Sequence, residues 1–245
     1  MSTMDNTMHV ATDLSRRSTE AEWLDAADAS PRELEAVLRD LARFNGAMLG
    51  RQAVINWLDA AIARIPPRTQ LTLIDVGCGY GDLLRAIRGW ADRRGLDIKL
   101  IGLDLNRETV RIAQTATDQE LDIEYRVMDV FDFIPPAPVD FIVSSLLTHH
   151  MPDELIVRFL RWMERTACRG WMIYDLQRHR LPYHFIGLVG RLTRLHPIVV
   201  HDGRISVARS LTRAEWIARL REAGIALKNV RLRWFLFRFV IGRVR

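Results

Sequence analysis

Short apolar runs alternate with helical patterns along the chain after residue 70. The runs at 71–76, 98–104, 122–127, 139–147 and 170–176 are rich in β-branched and aliphatic residues, which is typical of strands buried on both faces. Stretches with apolar residues at helical spacing lie between most of them, clearest at 82–92 and 153–166. This alternation predicts an α/β fold with a parallel sheet and right-handed crossovers.

The chain before residue 67 has a different pattern. Residues 1–19 are polar and predict a disordered leader. Residues 20–66 carry apolar stripes at helical spacing, and Ser30-Pro31-Arg32-Glu33 is a capping box with proline at the first helical position. We therefore expect a helical segment here, separate from an α/β domain at 67–245. The candidates for facing a ligand at the turn between its helices are Phe44, Asn45 and Arg51.

The last third of the chain predicts a helical insertion and a hairpin. An insertion at about 178–210 follows the fifth strand and contains a helical pattern at 184–196. A second capping box, Thr212-Arg-Ala-Glu215, predicts the last helix. The runs at 226–234 and 236–243 then predict two paired strands.

Composition limits the class of protein. The chain has 245 residues and two cysteines, Cys78 and Cys168, which predict neither a disulfide framework nor a zinc site. The first twenty residues lack the apolar core of a signal peptide. No apolar run approaches the roughly 20 residues that span a bilayer. We therefore expect a cytoplasmic protein without a transmembrane segment.

Charge is unevenly distributed along the chain. Residues 1–177 hold 20 Lys and Arg against 27 Asp and Glu, whereas residues 178–245 hold 15 against 3. This basic third leaves contact with an anionic membrane surface open. Its arginines are spread over predicted helices and strands, so we interpret them as a solvated face and expect no nucleic-acid partner. The sequence leaves the oligomeric state open.

The first strand ends in a glycine loop flanked by carboxylates. Gly77, Gly79 and Gly81 follow the strand at alternate positions, and helical periodicity begins directly after them. Backbone N–H groups at such a helix N-terminus can hold a nucleotide, since no Cβ atoms obstruct it. Asp75 and Asp82 would repel a pyrophosphate, which disfavours NAD. The positively charged S-adenosylmethionine would be stabilised there.

Two sequence motifs carry a family resemblance. Asp75-Val-Gly77-Cys-Gly79-Tyr-Gly81 closely resembles the first motif of the class I S-adenosylmethionine-dependent methyltransferases. Thr148-His149-His150-Met151-Pro152 resembles a turn of the ubiquinone/menaquinone-type methyltransferases. The resemblance covers roughly residues 30–245. It implies a Rossmann-like, seven-stranded, mostly parallel sheet with an antiparallel C-terminal edge, and an N-terminal helical lid over cofactor and acceptor.

The resemblance also implies which residues surround the cofactor. Asp104 ends the second strand, where a carboxylate accepts the ribose hydroxyls, and ligands of such sheets do bind at the carboxyl ends of strands. Asp129 would bind the adenine amino group, with Met128 or Val130 stacked on the base. The candidate cofactor-binding residues are Asp75, Gly77, Cys78, Gly79, Gly81, Asp104, Leu105, Met128, Asp129, Val130 and Leu146.

Histidines follow the fourth and fifth strands. His149 and His150 lie closest to the methyl group by topology, and His179 comes next. An oxygen acceptor such as a phenol needs a base for its proton, and histidine has an unperturbed pKa near neutrality. These three are therefore the candidate catalytic residues. No cluster of His, Cys and acidic residues has metal-ligand spacing, so we expect no metal.

The sequence thus predicts an S-adenosylmethionine-dependent methyltransferase that acts on a small aromatic, polyketide-like or quinone-like acceptor. Transfer to oxygen is favoured over transfer to carbon. Ser144-Ser145 stands where enzymes that methylate base amino groups carry an Asn/Asp-Pro-Pro-aromatic motif, and no Pro-Cys pair is present for base C5 methylation. Two alternatives stay open: a nucleotide-binding module that regulates a partner without turnover, and, less favoured, an NAD-dependent oxidoreductase.

Overall fold

The computed structural model describes residues 13–23, 30–63, 65–66, 69–135, 137–192 and 197–245. The helices are α1 (Pro31–Ala47), α2 (Gly50–Ile62), α3 (Asp82–Arg93), α4 (Arg107–Thr115), α5 (Asp153–Thr166), α6 (Arg180–Leu192), α7 (Pro197–Arg209) and α8 (Arg213–Glu222). The strands are β1 (Leu71–Val76), β2 (Ile98–Asp104), β3 (Ile123–Val127), β4 (Val139–Ser145), β5 (Ala167–Leu176), β6 (Arg231–Phe235) and β7 (Arg238–Val244). Within the described part of the chain, no helix has the length and apolarity to cross a membrane.

The seven strands of the described residues form one sheet in the order β3-β2-β1-β4-β5-β7-β6. The strands from β3 to β5 are parallel, with Ile74 of β1 opposite Ile101 of β2 on one side and Ile142 of β4 on the other. β7 pairs antiparallel with both β5 and β6. The predicted fold class, a mostly parallel seven-stranded sheet with an antiparallel C-terminal edge, is confirmed.

Helices cover both faces of this sheet. Leu58 of α2 and Ile87 of α3 pack into the apolar core on one face, and Phe159 of α5 and Trp216 of α8 pack into the core on the other. Each fully buried side chain of this kind stabilises the fold by about 1.5–3 kcal/mol. Burial on both faces explains why β1 and β4 are nearly continuous apolar runs.

The position of a ligand crevice follows from the strand order. The order reverses between β1 and β4, so the chain leaves these neighbours in opposite directions. Open α/β sheets bind ligands at such a switch point, outside the carboxyl ends of the strands. The glycine loop follows β1, and residues 146–150 follow β4. The two loops therefore meet at this crevice.

The first N-terminal helix, α1, begins where its capping box predicts. The Ser30 side chain accepts a hydrogen bond from the Glu33 backbone N–H, and the Glu33 carboxylate accepts one from the Ser30 N–H at 3.0 Å. After α1, Leu49 takes a left-handed backbone conformation with φ 56° and turns the chain into α2. Both helices lie against the described α/β part of the chain.

Residues 13–23 pack against the α/β part of the chain, whereas the sequence predicted disorder up to residue 19. The Ser18 N–H donates to the carbonyl of Ala208 at 3.0 Å. Arg17 donates to Asp153 at 2.8 Å and to the carbonyl of His149 at 3.1 Å. These long-range contacts fix residues that look solvated in the sequence. Residues 1–12 of the predicted leader are outside the described residues.

The insertion holds two helices where the sequence predicted one, at 184–196. Residues 193–196 are outside the described residues, and α7 follows from residue 197. Gly203 weakens the helical pattern of α7 in the sequence. In the structure, this glycine lies inside the helix against Ile186 of α6, where a larger residue would be crowded.

The C-terminal hairpin is present, but its turn lies at residues 236 and 237, after the predicted position 235. Its two strands are joined by Leu236 and Phe237, which both have positive φ angles, of 44° and 67°. Such paired left-handed residues match the twist of a two-residue hairpin, a role usually filled by Asn or Gly. Residues 227–229, predicted as strand, form a short 3-10 turn.

Candidate functional site

The glycine loop is built to leave backbone N–H groups and open space at the crevice. Its three glycines have positive φ angles of 72°, 51° and 74°. A Cβ atom on Gly79 would meet no atom within 4 Å. The Gly79 N–H donates instead to Oδ2 of Asp104 at 3.1 Å. Gly79 is therefore fixed by this hydrogen bond, and open space remains where a side chain would lie.

A cavity of about 160 Å³ opens between this loop and the N-terminal helices. We call it the glycine-loop cavity. Leu41, Asn45 and Arg51 line it from the helical side, and Leu146 from the end of β4. The predicted cofactor residues Asp75, Gly77, Cys78, Gly79 and Leu146 all line it.

Asp75 is a buried carboxylate that lacks a partner on one oxygen. It is 1% exposed, and its Oδ1 has no hydrogen bond within the described residues. Burial, together with the nearby charges of Asp82 and Asp104, raises the pKa of Asp75 well above its ordinary value. A cation in the glycine-loop cavity would supply the missing partner.

Two further carboxylates border the loop. The oxygens of Asp104 accept from the Gly79 N–H and, at 3.0 Å, from the Asn106 N–H, and burial raises its pKa. Asp82 begins α3, and burial raises its pKa even though Arg51 lies 3.9 Å away. Their negative charge adds to that of Asp75.

The candidates for the adenine end lie beyond the cavity. Leu105 is 72% exposed, Asp129 is exposed, and Val130 is buried in the core. The N–H of Met128 donates to the carbonyl of Asp104 at 2.9 Å, so the ends of β2 and β3 are adjacent. These residues lie together at one edge of the crevice, but they do not line the glycine-loop cavity. Its role in binding adenine stays a prediction.

A second cavity, of about 130 Å³, lies next to the first. We call it the histidine cavity, since His149 and His150 line it. The two cavities share the wall residues Leu41, Asn45 and Leu146. Leu146 has φ 57°, a backbone conformation that costs a leucine about 1–2 kcal/mol, and its N–H donates to the carbonyl of Tyr174 at 2.8 Å. The strained residue is held at the boundary between the cavities.

His149 and Asp175 form a buried pair in this cavity. Nδ1 of His149 lies 2.7 Å from Oδ1 of Asp175, and the side chains are 4% and 2% exposed. The other carboxylate oxygen accepts from the Thr148 hydroxyl and, at 3.1 Å, from the His149 N–H. Burial would raise the pKa of Asp175, but the histidine and these hydrogen bonds outweigh it and lower the pKa. The ring is thus oriented by an ionised carboxylate.

Glu22 approaches both histidines from the other side. Its carboxylate lies 3.7 Å from Nε2 of His149 and 3.8 Å from Nε2 of His150. One ligand atom from each of the three residues lies within 4.8 Å of the others, close enough for a metal ion. The sequence predicted no such cluster, because Glu22 belongs to a segment far away in the chain. Arg209, 3.9 Å from the Glu22 carboxylate, places a positive charge there as well.

The other histidines of the described residues do not line the histidine cavity. His179 is exposed, and its Nδ1 accepts from the Leu181 N–H at the start of α6. His184 is exposed. His201 stacks on Trp23 with ring centroids 3.5 Å apart. His179, a candidate from the sequence, therefore does not line the histidine cavity.

Sequence reasoning missed several residues of the site. Asp175 could have been recognised as a carboxylate near the end of a strand, next to the predicted histidine loop. Glu22 and Arg238 carry no signal of their own, because the first lies in a segment without a motif and the second in an edge hairpin.

A larger groove lies elsewhere on the described residues. A polar groove of about 760 Å³ lies near Gln70 and Leu96, at the amino ends of β1 and β2. Ligands of open α/β sheets bind at the opposite end of the strands. We therefore assign the site to the two smaller cavities.

Comparisons with known proteins give a family match and several relatives. A family described as a methyltransferase domain matches residues 73–170. Trans-aconitate 2-methyltransferase of Azoarcus sp. (strain BH72) is 29% identical over 126 residues, which cover 49% of this chain and 47% of the relative. Cyclopropane mycolic acid synthase 1 of Mycobacterium tuberculosis is 25% identical over 169 residues, covering 66% and 50%. The chain thus spans about half the length of the curated relatives it matches.

A solved structure shares the fold. Human N-acetylserotonin methyltransferase, in complex with S-adenosylmethionine, superposes with a TM-score of 0.62 at 16% identity. The match covers 88% of this chain and 56% of that one.

Proposed function

We propose that this chain, a class I S-adenosylmethionine-dependent methyltransferase by its domain match and its fold, transfers a methyl group to an oxygen of a small acceptor. One observation carries the proposal: the buried pair of His149 and Asp175 lies in a cavity that shares its wall with the glycine-loop cavity. A proton acceptor therefore lies beside the place proposed for the methyl donor.

The residues of the glycine-loop cavity fit the cofactor. S-adenosylmethionine supplies a positively charged sulfur that makes its methyl carbon open to attack. Asp75 would face this positive charge with its unpaired oxygen. Gly79 would let the ligand approach the backbone, and Asp104 would accept hydrogen bonds from the ribose hydroxyls.

The residues of the histidine cavity fit a proton transfer. Nε2 of His149 would take the proton from the acceptor hydroxyl, whose oxygen would then bond to the transferred methyl carbon. Bound S-adenosylmethionine would supply that methyl group, and its sulfur would keep the electron pair of the bond that breaks. Asp175 holds Nδ1–H of the ring and stabilises the imidazolium that results. Solvent later removes the proton and restores the base.

A small, partly apolar acceptor suits the histidine cavity. Val37, Leu41 and Phe44 line it from α1, and Leu176 and Ile186 from the sheet and α6. An aromatic, polyketide-like or quinone-like ring would pack on these side chains, and α1 would act as the lid that excludes water. The name of one relative, trans-aconitate 2-methyltransferase, also favours a small molecule.

A titration and a turnover assay test the proposal. We expect S-adenosylmethionine and S-adenosylhomocysteine to bind in calorimetry and NAD not to bind. With donor labelled at the methyl carbon, we expect an oxygen-linked methyl signal in NMR spectra of products from a panel of phenols and quinols. Tight NAD binding without a response to the other two would overturn the cofactor assignment, and a carbon-linked methyl group would overturn transfer to oxygen.

A further inference from the structure

We infer that the acceptor carries a carboxylate, or an equivalent anionic group, that binds Arg238. This inference rests on the proposed function and names its substrate class. Arg238 begins β7, is 2% exposed, and lines the histidine cavity. A guanidinium is always protonated and has five N–H donors. The cavity therefore contains a permanent buried positive charge.

The contacts of Arg238 leave this charge without a counter-ion. Nη1 donates to the hydroxyl of Tyr174 at 3.1 Å, and Nη2 donates to Oδ1 of Asn45 at 2.7 Å. The guanidinium lies over the Tyr174 ring, 5.3 Å from its centroid. Nε is buried and has no hydrogen-bond partner, and in the described part of the chain no carboxylate lies within 4.0 Å of the guanidinium. All the partners it has are neutral.

Arg178, another buried arginine, shows that the fold provides a carboxylate partner where the charge has only a structural role. Arg178 is 4% exposed, and its Nη2 lies 2.5 Å from the carboxylate of Glu215. Its Nη1 donates to the carbonyl of Ser210 at 2.8 Å. Burying an ion without such a partner costs several kcal/mol. Since Arg238 borders a cavity, a ligand can supply the missing negative charge there.

The position of Arg238 favours the acceptor over the cofactor as the source of this anion. The amino acid part of S-adenosylmethionine also ends in a carboxylate. Arg51, however, lines the glycine-loop cavity, whereas Arg238 does not. Arg238 instead shares the histidine cavity with His149.

The charges of the histidine cavity would also orient the acceptor. Glu22 and Asp202 lie on its wall, so that the cavity has acidic groups besides the guanidinium. An anionic acceptor would avoid these carboxylates and place its negative group against Arg238. Its hydroxyl would then be left for His149. A neutral acceptor would leave the guanidinium buried and unpaired.

A binding experiment tests this inference without turnover. The protein is saturated with S-adenosylhomocysteine and titrated with acids and their amides, for example 4-hydroxybenzoate with 4-hydroxybenzamide, salicylate with salicylamide, and octanoate with octanamide. We expect at least one acid to bind about tenfold to a hundredfold more tightly than its amide, as expected for a charge-assisted pair of hydrogen bonds. Arg238→Gln should abolish this preference, and Arg238→Lys should retain part of it.

Arg231→Gln is the matched control, since it removes the same charge from an exposed position on β6. It should keep the preference for acids. Equal binding of every acid and its amide by the wild-type protein would overturn the inference, and so would a preference that survives in Arg238→Gln. If Arg238→Gln does not fold, the comparison in the wild-type protein decides alone.

The outcomes separate this inference from the proposed function. Weaker binding of S-adenosylhomocysteine by Arg238→Gln, with an unchanged preference for acids, would assign Arg238 to the cofactor instead. Efficient methylation of neutral acceptors, equal to that of the acids, would keep the proposed function and overturn this inference. Binding of acids through Arg238 without any methyl transfer would keep this inference and overturn the proposed function.

Discussion

Nδ1 of His149 and Oδ1 of Asp175 are 2.7 Å apart in the interior of the protein, where water cannot compete for the hydrogen bond. The carboxylate also accepts hydrogen bonds from Thr148 and from the backbone. A buried carboxylate with this many donors stays ionised and fixes which ring nitrogen carries the proton. Nε2 is therefore the nitrogen left for an acceptor.

Removal of the proposed base should slow turnover without weakening the binding of the cofactor. We expect His149→Ala to lower kcat on an oxygen acceptor by roughly 10²- to 10⁴-fold, the usual contribution of a positioned general base. S-adenosylhomocysteine should bind as before. His179→Ala is the control, because this histidine is exposed outside the cavity. Full activity of both His149→Ala and His150→Ala would contradict the assignment of a histidine base.

Asp75→Asn should stabilise the protein and weaken the binding of the cofactor. The pKa of Asp75 is raised by burial above its ordinary value of 3.8, so the native state binds this proton more tightly than the unfolded state does. The free energy of unfolding then falls as the pH rises from the ordinary pKa to the raised one. Asn keeps the size of the side chain without its charge. We expect urea unfolding to show an advantage for Asp75→Asn that grows above about pH 4.

The same pKa gives the pH dependence of cofactor binding. A positively charged ligand favours the ionised form of Asp75, so binding should release a proton and strengthen as the pH rises. Calorimetry in buffers of different ionisation enthalpy counts that proton. A cofactor affinity that is independent of pH, and equal in Asp75→Asn, would remove Asp75 from the site.

Gly79 and Gly95 offer a matched pair of substitutions. Both have positive φ angles, of 51° and 62°, and both have open space where a Cβ atom would lie, but only Gly79 lines a cavity of the site. Each change to alanine should cost about 1–2 kcal/mol of stability through backbone strain. Gly79→Ala should in addition weaken the binding of S-adenosylmethionine, because the methyl group of the alanine points to the space proposed for the ligand. Equal affinities of the two variants in calorimetry would refute this placement.

Activity should not depend on a metal ion, although Glu22, His149 and His150 could hold one. A metal on Nε2 of His149 would occupy the nitrogen that the proposed proton transfer needs. We expect EDTA to leave turnover unchanged and added Zn²⁺ to inhibit it. Loss of activity in EDTA that Zn²⁺ restores would identify a metal centre and replace the histidine base by a metal-bound oxygen acceptor.

Local patterns in the sequence determined most of the fold. The strand β2 and the helix α5 begin and end where the apolar periodicity predicts, and both capping boxes start helices. The methyltransferase domain match covers the glycine loop and its acids, as their resemblance predicts, and the predicted fold class is confirmed. These features succeed because each is set by neighbours in the chain: side-chain alternation, a cap and the backbone freedom of glycine.

Only the tertiary structure decided which side chains share the cavities. It brought Glu22 to His149, set Asp175 behind the ring and left His179 outside. It also buried Arg238 more than 4.0 Å from every carboxylate of the described residues. A sequence motif specifies what one segment does by itself. The charge balance of a cavity depends instead on which distant segments pack together, and burial then makes each charge that remains unpaired costly enough to indicate a ligand.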